Sequence, residues 1–564
     1  MNVSQEQAAR LGFWATLLLS IFAWAPATYP GYWQAHTGFV PIFNAAHSSA
    51  IAGIATLPDL WRGMGNGAFL PAQPFIVLGL SATVAVRIVF GLAFVLGGMG
   101  MYIWLRNRLG DRPAGLAALV WMLWPPLLAT VYVRGNLADA LVMGIVPLTL
   151  AGLTIYGETR TPSAAGVAVL SLLWIWRTQA GLAVFVTLAL LAYVLLVERS
   201  RLAALVVGVS GAAGLVSLVP LWNFSAPPGS PSMSPSVAFE QTFVSLYALL
   251  GGGWPVAGFG AATQGSDPRV MPVTLGAAAL IFGITTLWFW RSSRVGWRTN
   301  VLARMLTFAY TVIVLAVFLA LPWGGWFWQL TGAARLVSYP WQVLLVVAPF
   351  VGLVAGSLPA LQPVLVQTRF WSVLVAVVIL SSYPYLQADF TQVAAPDRPL
   401  AVFGAANEIV ILDAQLQEDP TAQAAVLDLT WQVLHTPAFD YNIFFQAQAP
   451  EDGTFRNVAQ LDTQPLQGEF PATSWLPGQI YTDTYRLDLS DWYAGQNASG
   501  DDTVDDTVDD TVDDTGGSTG DDTDAESAPL PGPLRFDFGY YDWRDGTRLP
   551  IDGGIDDKLM FYGR

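Results

Sequence analysis

The run Val131-Tyr-Val-Arg134-Gly-Asn-Leu-Ala-Asp139 sets a guanidinium and a carboxylate five positions apart between two apolar segments. Charge beside hydrocarbon is costly, so such a pair needs a solvated boundary, a partner or a task. The chemistry open to it is phosphate binding by the cation and proton abstraction by the acid. The plainer alternative is a helix end at headgroup level, with Arg134 snorkelling to lipid phosphate. Only 12% of the residues are charged, so few other positions compete.

Those few gather in the same kind of setting. Asp59, in Leu57-Pro-Asp59-Leu-Trp-Arg62-Gly, is the only acid between Gln7 and Gly110. The chain has 3 histidines, of which His36 and His47 share one predicted loop. Two histidines without nearby carboxylates make a poor metal site, so polar interfacial positions are expected and no metal site is assigned. Arg177 follows Trp174-Ile-Trp176, which suits a headgroup-level anchor. Arg87 stands near the end of the second apolar segment, where a buried anionic partner would fit.

The elements that must hold these residues are membrane helices. The 564 residues are 54% hydrophobic and 13% aromatic, and several runs approach the ~20 apolar residues that cross a bilayer. The first segment lacks a basic leader and a clear cleavage site, so a retained anchor is expected. Expected spans are 11–28, 82–105, 114–132, 139–156, 163–178, 180–197, 202–222, 272–290, 304–321, 341–358 and 369–385. Basic clusters at Arg106, Arg108 and Arg112, at Arg199 and Arg201, and at Arg291, Arg294, Arg298 and Arg304 then fall on one side. The positive-inside rule places that side in the cytoplasm, with the N-terminus inside and the C-terminal segment outside.

On the outer side three loops are large enough to build a site: 29–80, 223–272 and 322–339. The stretch Ala45 to Leu57 is too short to span and reads as an interfacial helix. Val237 to Gly260 is apolar but broken by Gly251-Gly-Gly-Trp-Pro255, which suggests an interfacial or re-entrant element. Outer-side cations are Arg62, Arg134, Arg177, Arg269 and Arg335; the outer-side acids between spans are Asp59, Asp139, Glu240 and Asp267.

From about Ala401 the pattern changes to short β-type runs. Ile409 to Asp413, Ala425 to Trp431, Tyr441 to Gln446, Tyr485 to Leu489 and Leu534 to Tyr541 predict strands of an all-β sandwich. The domains are therefore a membrane part, 1–390, and an extracytoplasmic β-sandwich, 391–564. An Asp-Asp-Thr-Val repeat from Asp501 to Thr515 sits inside the latter, within an acidic insert expected to be disordered at about 496–532. It carries much of the net charge of −15. A solvated spacer is favoured over calcium capture, because no glycine-punctuated loop or bidentate Glu stands at calcium-loop spacing.

Several function classes drop out. With 0 Cys there is no thiolate nucleophile and no Cys-based metal or iron–sulfur site. Dinucleotide-binding, phosphate-loop and zinc-protease signatures are missing. With only 26 Lys and Arg and no basic face, nucleic acid is not an expected partner.

Three motifs carry a resemblance: Leu57-Pro-Asp-Leu-Trp61 with Gly65-Asn-Gly67, Tyr132-Val-Arg-Gly-Asn-Leu-Ala-Asp139 with Pro147-Leu148, and Arg335-Leu-Val-Ser-Tyr-Pro-Trp-Gln342. Together they make the membrane part resemble the bacterial integral membrane proteins labelled 6-pyruvoyl-tetrahydropterin-synthase-related, which look like GT-C-type glycosyltransferases. Val458 to Asp462, Thr473 to Gly478, Asp483 to Leu487 and Gly539 to Asp542 with Gly546 to Pro550 resemble a β-sandwich module that follows GT-C membrane regions in Chloroflexi-type bacteria.

The resemblance implies a polytopic α-helical membrane protein that uses a polyprenyl-phosphate-linked sugar at the outer face of the cytoplasmic membrane. Arg134 and Arg335 would hold the lipid phosphate, with Arg62, Trp341, His36 and His47 as further substrate contacts. Asp59 or Asp139 would be the base. The outer loops would form a roof, and the sandwich would receive or present an envelope glycan or protein acceptor. No cofactor is specified, and a divalent cation is compatible with the transfer. The chain departs from the family where an acid normally follows the first span, because Tyr32-Trp-Gln-Ala-His36-Thr-Gly-Phe has none. A non-catalytic membrane scaffold, or a glycan- or lipid-binding envelope protein, is the alternative. Transport finds no chain of intramembrane ionisable residues.

Overall fold

In hydrocarbon every backbone N–H and C=O must be satisfied within the chain, so long apolar runs become helices. A computed structural model describes residues 10–29, 32–33, 41–42, 45–46, 67–217, 239–251, 273–292, 300–337, 339–386, 390–391, 399–404, 407–437, 439–451, 454–468, 471–475, 480–499, 534–551 and 556–562. All eleven expected segments contain helix. They are α1 (Leu11–Leu19, continued by short turns to Thr28), α2 (Ala82–Leu109), α3 (Asp111–Met122), α4 (Pro125–Tyr132), α5 (Leu137–Thr159), α6 (Pro162–Thr178), α7 (Ala180–Tyr193), α8 (Arg201–Ser217), α9 (Ala277–Ser292), α10 (Val301–Ala320), α11 (Val343–Leu361) and α12 (Thr368–Ser382).

Seven of these, with their flanking turns, are long and apolar enough to cross a membrane. The count is eight if α3 and α4, bent by 41° at Leu123 and Trp124, form one broken span. Pro125 and Pro126 explain that break: neither has the N–H that would bond back into α3, and both suit the first turn of a new helix. Helix α6 has 17 residues, a rise of about 25 Å against the ~30 Å of a hydrocarbon core, so length alone does not make it a span. Among the described residues α8 runs to Ser217 and α9 to Ser292, where the described segments end.

Helices α11 and α5 form the centre, with 94% and 83% of their membrane-length windows inside the protein. Both are apolar all round, as a core helix should be. The two ends of the bundle differ in charge. At one end Arg108 bridges Glu158 and Glu198, Arg112 donates to the Val366 carbonyl, and Arg304 donates to the Val197 carbonyl at 3.1 Å. Asp111 caps α1 there, accepting the Gly12 N–H at 2.6 Å and the Tyr102 hydroxyl at 2.7 Å. We call this the basic end.

The opposite end joins the C-terminal module. Strand β1 (Tyr32–Trp33) pairs antiparallel with β2 (Phe390–Thr391), tying the first loop to the segment after the last span. Eight further strands build two antiparallel sheets. They are β3 (Ala401–Phe403), β4 (Ile409–Asp419), β5 (Ala424–Val433), β6 (Asn442–Glu451), β7 (Thr454–Thr463), β8 (Ile480–Asp488), β9 (Arg535–Tyr541) and β10 (Leu559–Tyr562). One sheet runs β3-β4-β5-β8 and the other β10-β9-β6-β7.

Alternating residues of both sheets face a shared core. Leu427, Leu429 and Trp431 from the first meet Phe445, Phe536 and Phe538 from the second in one apolar cluster. Tyr485 and Phe538 touch across the sheets, ring centres 5.7 Å apart. All five expected strands are present, while β3, β7 and β10 were not expected. A helix, α13 (Ser490–Ser499), also enters the start of the expected acidic insert; the rest of that insert lies outside the described residues. Tyr493 anchors α13 by donating to Glu418 at 2.9 Å, and burial with that carboxylate pushes its hydroxyl up to about 12.

The module does not hang free of the bundle. Val402, Val410 and Leu434, on the outward side of the β3-β4-β5 sheet, belong to the bundle's own apolar cluster. Around the same end, the short helices Leu246–Leu249 and Gly325–Thr331, with the adjoining turn Pro322–Gly324, expose Tyr247, Trp323, Trp326 and Leu330. Rings of this amphipathic kind are enriched where helical membrane proteins meet the headgroup region. The predicted interfacial helix at 45–57 falls almost wholly outside the described residues.

Candidate functional site

Four chain segments converge at the module end of the core. Helix α4 finishes at Tyr132, and the backbone turns through Arg134-Gly135-Asn136 into α5. Gly135 has φ 68°, a left-handed conformation that glycine adopts at least cost. The turn is closed by Arg134 N–H donating to the Ala129 carbonyl at 2.8 Å and Asn136 N–H to the Thr130 carbonyl at 3.1 Å. Asn136 caps α5, its Oδ1 accepting the Asp139 N–H at 2.9 Å. Asp139 therefore sits in the first turn, where the helix dipole favours a negative charge.

Asp139 is completely buried and Arg134 nearly so. Arg134 Nη1 pairs with Asp139 Oδ2, joining the two ends of the turn. Two amides complete the carboxylate's shell. Gln342 Nε2, at the start of α11, donates to Oδ2 at 2.9 Å; Gln179 Nε2, just before α7, reaches Oδ1 at 3.4 Å. Both oxygens are occupied. A buried charge needs such partners, because an acceptor left without a donor in low dielectric costs free energy.

The guanidinium has a second environment. Its carbon lies 5.0 Å from the Tyr339 ring centre and 5.3 Å from that of Trp341. Those rings stack on each other at 5.4 Å, inclined by 14°. Cation–π contact adds attraction that water does not screen in so buried a place. Gln342 locks the platform, its Oε1 accepting the Tyr339 N–H at 3.1 Å. The loop bearing the rings presses on α7: a Cβ at Gly181 would stand 1.5 Å from the Leu336 carbonyl oxygen.

Of the residues singled out from sequence, Arg134, Asp139 and Trp341 come together here. Asp59, Arg62, His36 and His47 lie outside the described residues. Arg335 is placed through its backbone only, in the turn Ala333–Arg335 that leads into the aromatic loop. Arg177 donates to the Ser217 carbonyl at 2.8 Å and Arg87 to the Ala27 carbonyl at 2.6 Å. Each ties neighbouring helix ends, so both have partners within the protein. Sequence reasoning did not assign roles to Tyr339, Gln342 or Gln179. The first two stand in the Arg335 to Gln342 motif, and Gln179 is a polar residue at the break between α6 and α7.

Among the described residues, no three His, Asp or Glu side chains gather as a metal site would require. What the arrangement can do is fix a cation at the rim of the core beside an aromatic platform. It holds Asp139 as that cation's counter-ion, with a hydrogen bond to each oxygen. No family model matches this chain, and no curated protein matches it.

Proposed function

We propose that this chain is a glycosyltransferase-like protein of the cytoplasmic membrane, taking a polyprenyl-phosphate-linked sugar at the outer face. The observation that carries the reading is Arg134, fixed between Tyr339, Trp341 and Asp139 at the end of the bundle that meets the module. A guanidinium offers five N–H donors, so one nitrogen can stay on Asp139 while others meet a phosphate. The charge asymmetry of the bundle favours this end as the outer one, since arginines crowd the opposite end. Arg335, Arg62, His36 and His47 are assigned to substrate contact, and the module to receiving or presenting a glycan or protein acceptor.

Asp139 makes a poor base while both oxygens accept hydrogen bonds, so Asp59 is the assigned base. The second reading, a non-catalytic scaffold or lipid- and glycan-binding protein of the envelope, draws support from those same hydrogen bonds to Asp139. It also draws on the acid-free stretch after the first span. The deciding experiment is sugar transfer by the purified chain in liposomes carrying mixed polyprenyl-phosphate sugars. Transfer abolished by Asp59→Asn at unchanged thermal stability supports the transferase. Transfer that survives it removes Asp59 as base. Retention of the lipid-linked sugar without transfer from any donor assigns the scaffold.

A further inference from the structure

The basic end carries a cluster of exposed arginines that no carboxylate pairs among the described residues. The turn between α5 and α6 presents Arg160, and the turn between α7 and α8 presents Arg199 and Arg201, all exposed. The two turns are joined: Arg160 Nη1 donates to Ser200 Oγ at 3.1 Å, and Ser200 stands between the other two arginines. Arg160 and Arg199 have φ of 57° and 53°, positions where glycine would be easier. Both instead hold charge at the same corner.

The nearby acids are already taken. Arg108 pairs with Glu158 at 2.7 Å and Glu198 at 2.8 Å, and Glu198 also accepts the Tyr193 hydroxyl at 2.8 Å. Among the described residues, no carboxylate lies within ion-pair distance of Arg160, Arg199 or Arg201. Other arginines of this end are spent on carbonyls, Arg112 on Val366 and Arg304 on Val197. Among the described residues the corner sets four arginines, Arg108, Arg160, Arg199 and Arg201, against the two carboxylates Glu158 and Glu198, a net excess of positive charge. Beside it, Leu196, Leu202 and Leu205 are exposed and begin an apolar face that continues along α8 through Val209 and Val216.

We propose that this corner binds the headgroup of an anionic phospholipid. Its phosphodiester would sit among Arg160, Arg199 and Arg201, and its acyl chains would run along Leu196, Leu202 and Leu205. A lipid fits better than a free anion, because the cations border an apolar surface that only hydrocarbon covers well. The proposal does not depend on the transferase reading.

The test uses the full chain in phosphatidylcholine nanodiscs containing a minor fraction of phosphatidylglycerol. Phosphatidylglycerol retained after detergent extraction is counted by native mass spectrometry. The wild type should keep it selectively, and millimolar inorganic phosphate should not displace it. Each Arg→Gln change among Arg160, Arg199 and Arg201 should weaken retention about fivefold. The triple Arg→Lys variant should retain the lipid, as should Arg369→Gln, a control at the same end that stacks on Phe370. If one Gln variant does not fold, the other two carry the comparison. Equal retention by wild type and Gln variants, or displacement by phosphate, overturns the proposal.

Discussion

Gln342 braces Asp139 across 203 residues of sequence, its Nε2 2.9 Å from the carboxylate while its Oε1 holds the Tyr339 N–H at 3.1 Å. One amide thus fixes both the counter-ion of Arg134 and the aromatic loop on which Arg134 lies. Gln342→Leu should remove both bonds and cost about 1–3 kcal/mol, because it strips a buried acceptor of a donor. Gln342→Glu should cost more, as it sets a second carboxylate against the first. Thermal unfolding in detergent checks this, and a Gln342→Leu protein as stable as wild type would refute the brace.

The Arg134–Asp139 pair should behave as a unit. Arg134→Met or Asp139→Leu alone leaves one buried charge uncompensated, with an expected loss of about 3–5 kcal/mol. The double variant should lose much less than the sum, because no orphan charge remains. A double-mutant cycle read by thermal unfolding measures that coupling. Additive losses would mean the two side chains do not depend on each other.

Gly181 is the contact through which α7 meets the aromatic loop. Gly181→Ala must push the Leu336 carbonyl aside, since the new carbon would otherwise lie 1.5 Å from it. Overpacking of this kind costs roughly 1–3 kcal/mol. Hydrogen exchange over residues 333–342 should rise with it. Unchanged exchange there would disprove the tight approach.

In the module, the Arg544 guanidinium hydrogen-bonded to Asp542 holds that carboxyl below its usual range. A depressed folded-state value contributes stability that is present above the unfolded value of about 3.9 and is lost as pH falls through the folded one. The pair is partly exposed, so the effect is small and salt-sensitive. Residues 534–551 should therefore exchange faster on acidification below about pH 4, after correction for intrinsic rates. Arg544→Gln should flatten that acid response, because Asp542 then titrates alike in the folded and unfolded chain; an acid response unchanged by the substitution would exclude the pair as its source.

Apolar runs made the bundle readable, because length and hydropathy alone dictate helix in a membrane. Alternation did the same for β8 and β9, whose Tyr485, Leu487, Phe536, Phe538 and Tyr540 face the core. It could not reveal β7, whose residues are largely exposed at a sheet edge, nor the three-residue β3, too short to carry a pattern. At the site, Arg134 and Asp139 were visible as local neighbours between apolar segments. Gln179 and Gln342 were not, since a polar amide near a helix end is ordinary. What gives them meaning is the approach of α7 and α11 to α5. The aromatic platform beside Arg134 likewise depends on a loop that sequence places far away.

The spacing of Arg134 and Asp139 has a consequence for how the chain is made. When α5 enters the membrane, Gln342 is still 203 residues from synthesis. At about 5–20 residues per second that delay is roughly 10–40 s. Through that interval Asp139 has a charged partner supplied by its own turn, and the pair can be inserted as a nearly neutral unit. Gln342 then closes a shell that was already electrically balanced. Arg134 is in this sense an escort for Asp139 before it is a fixture of the finished rim.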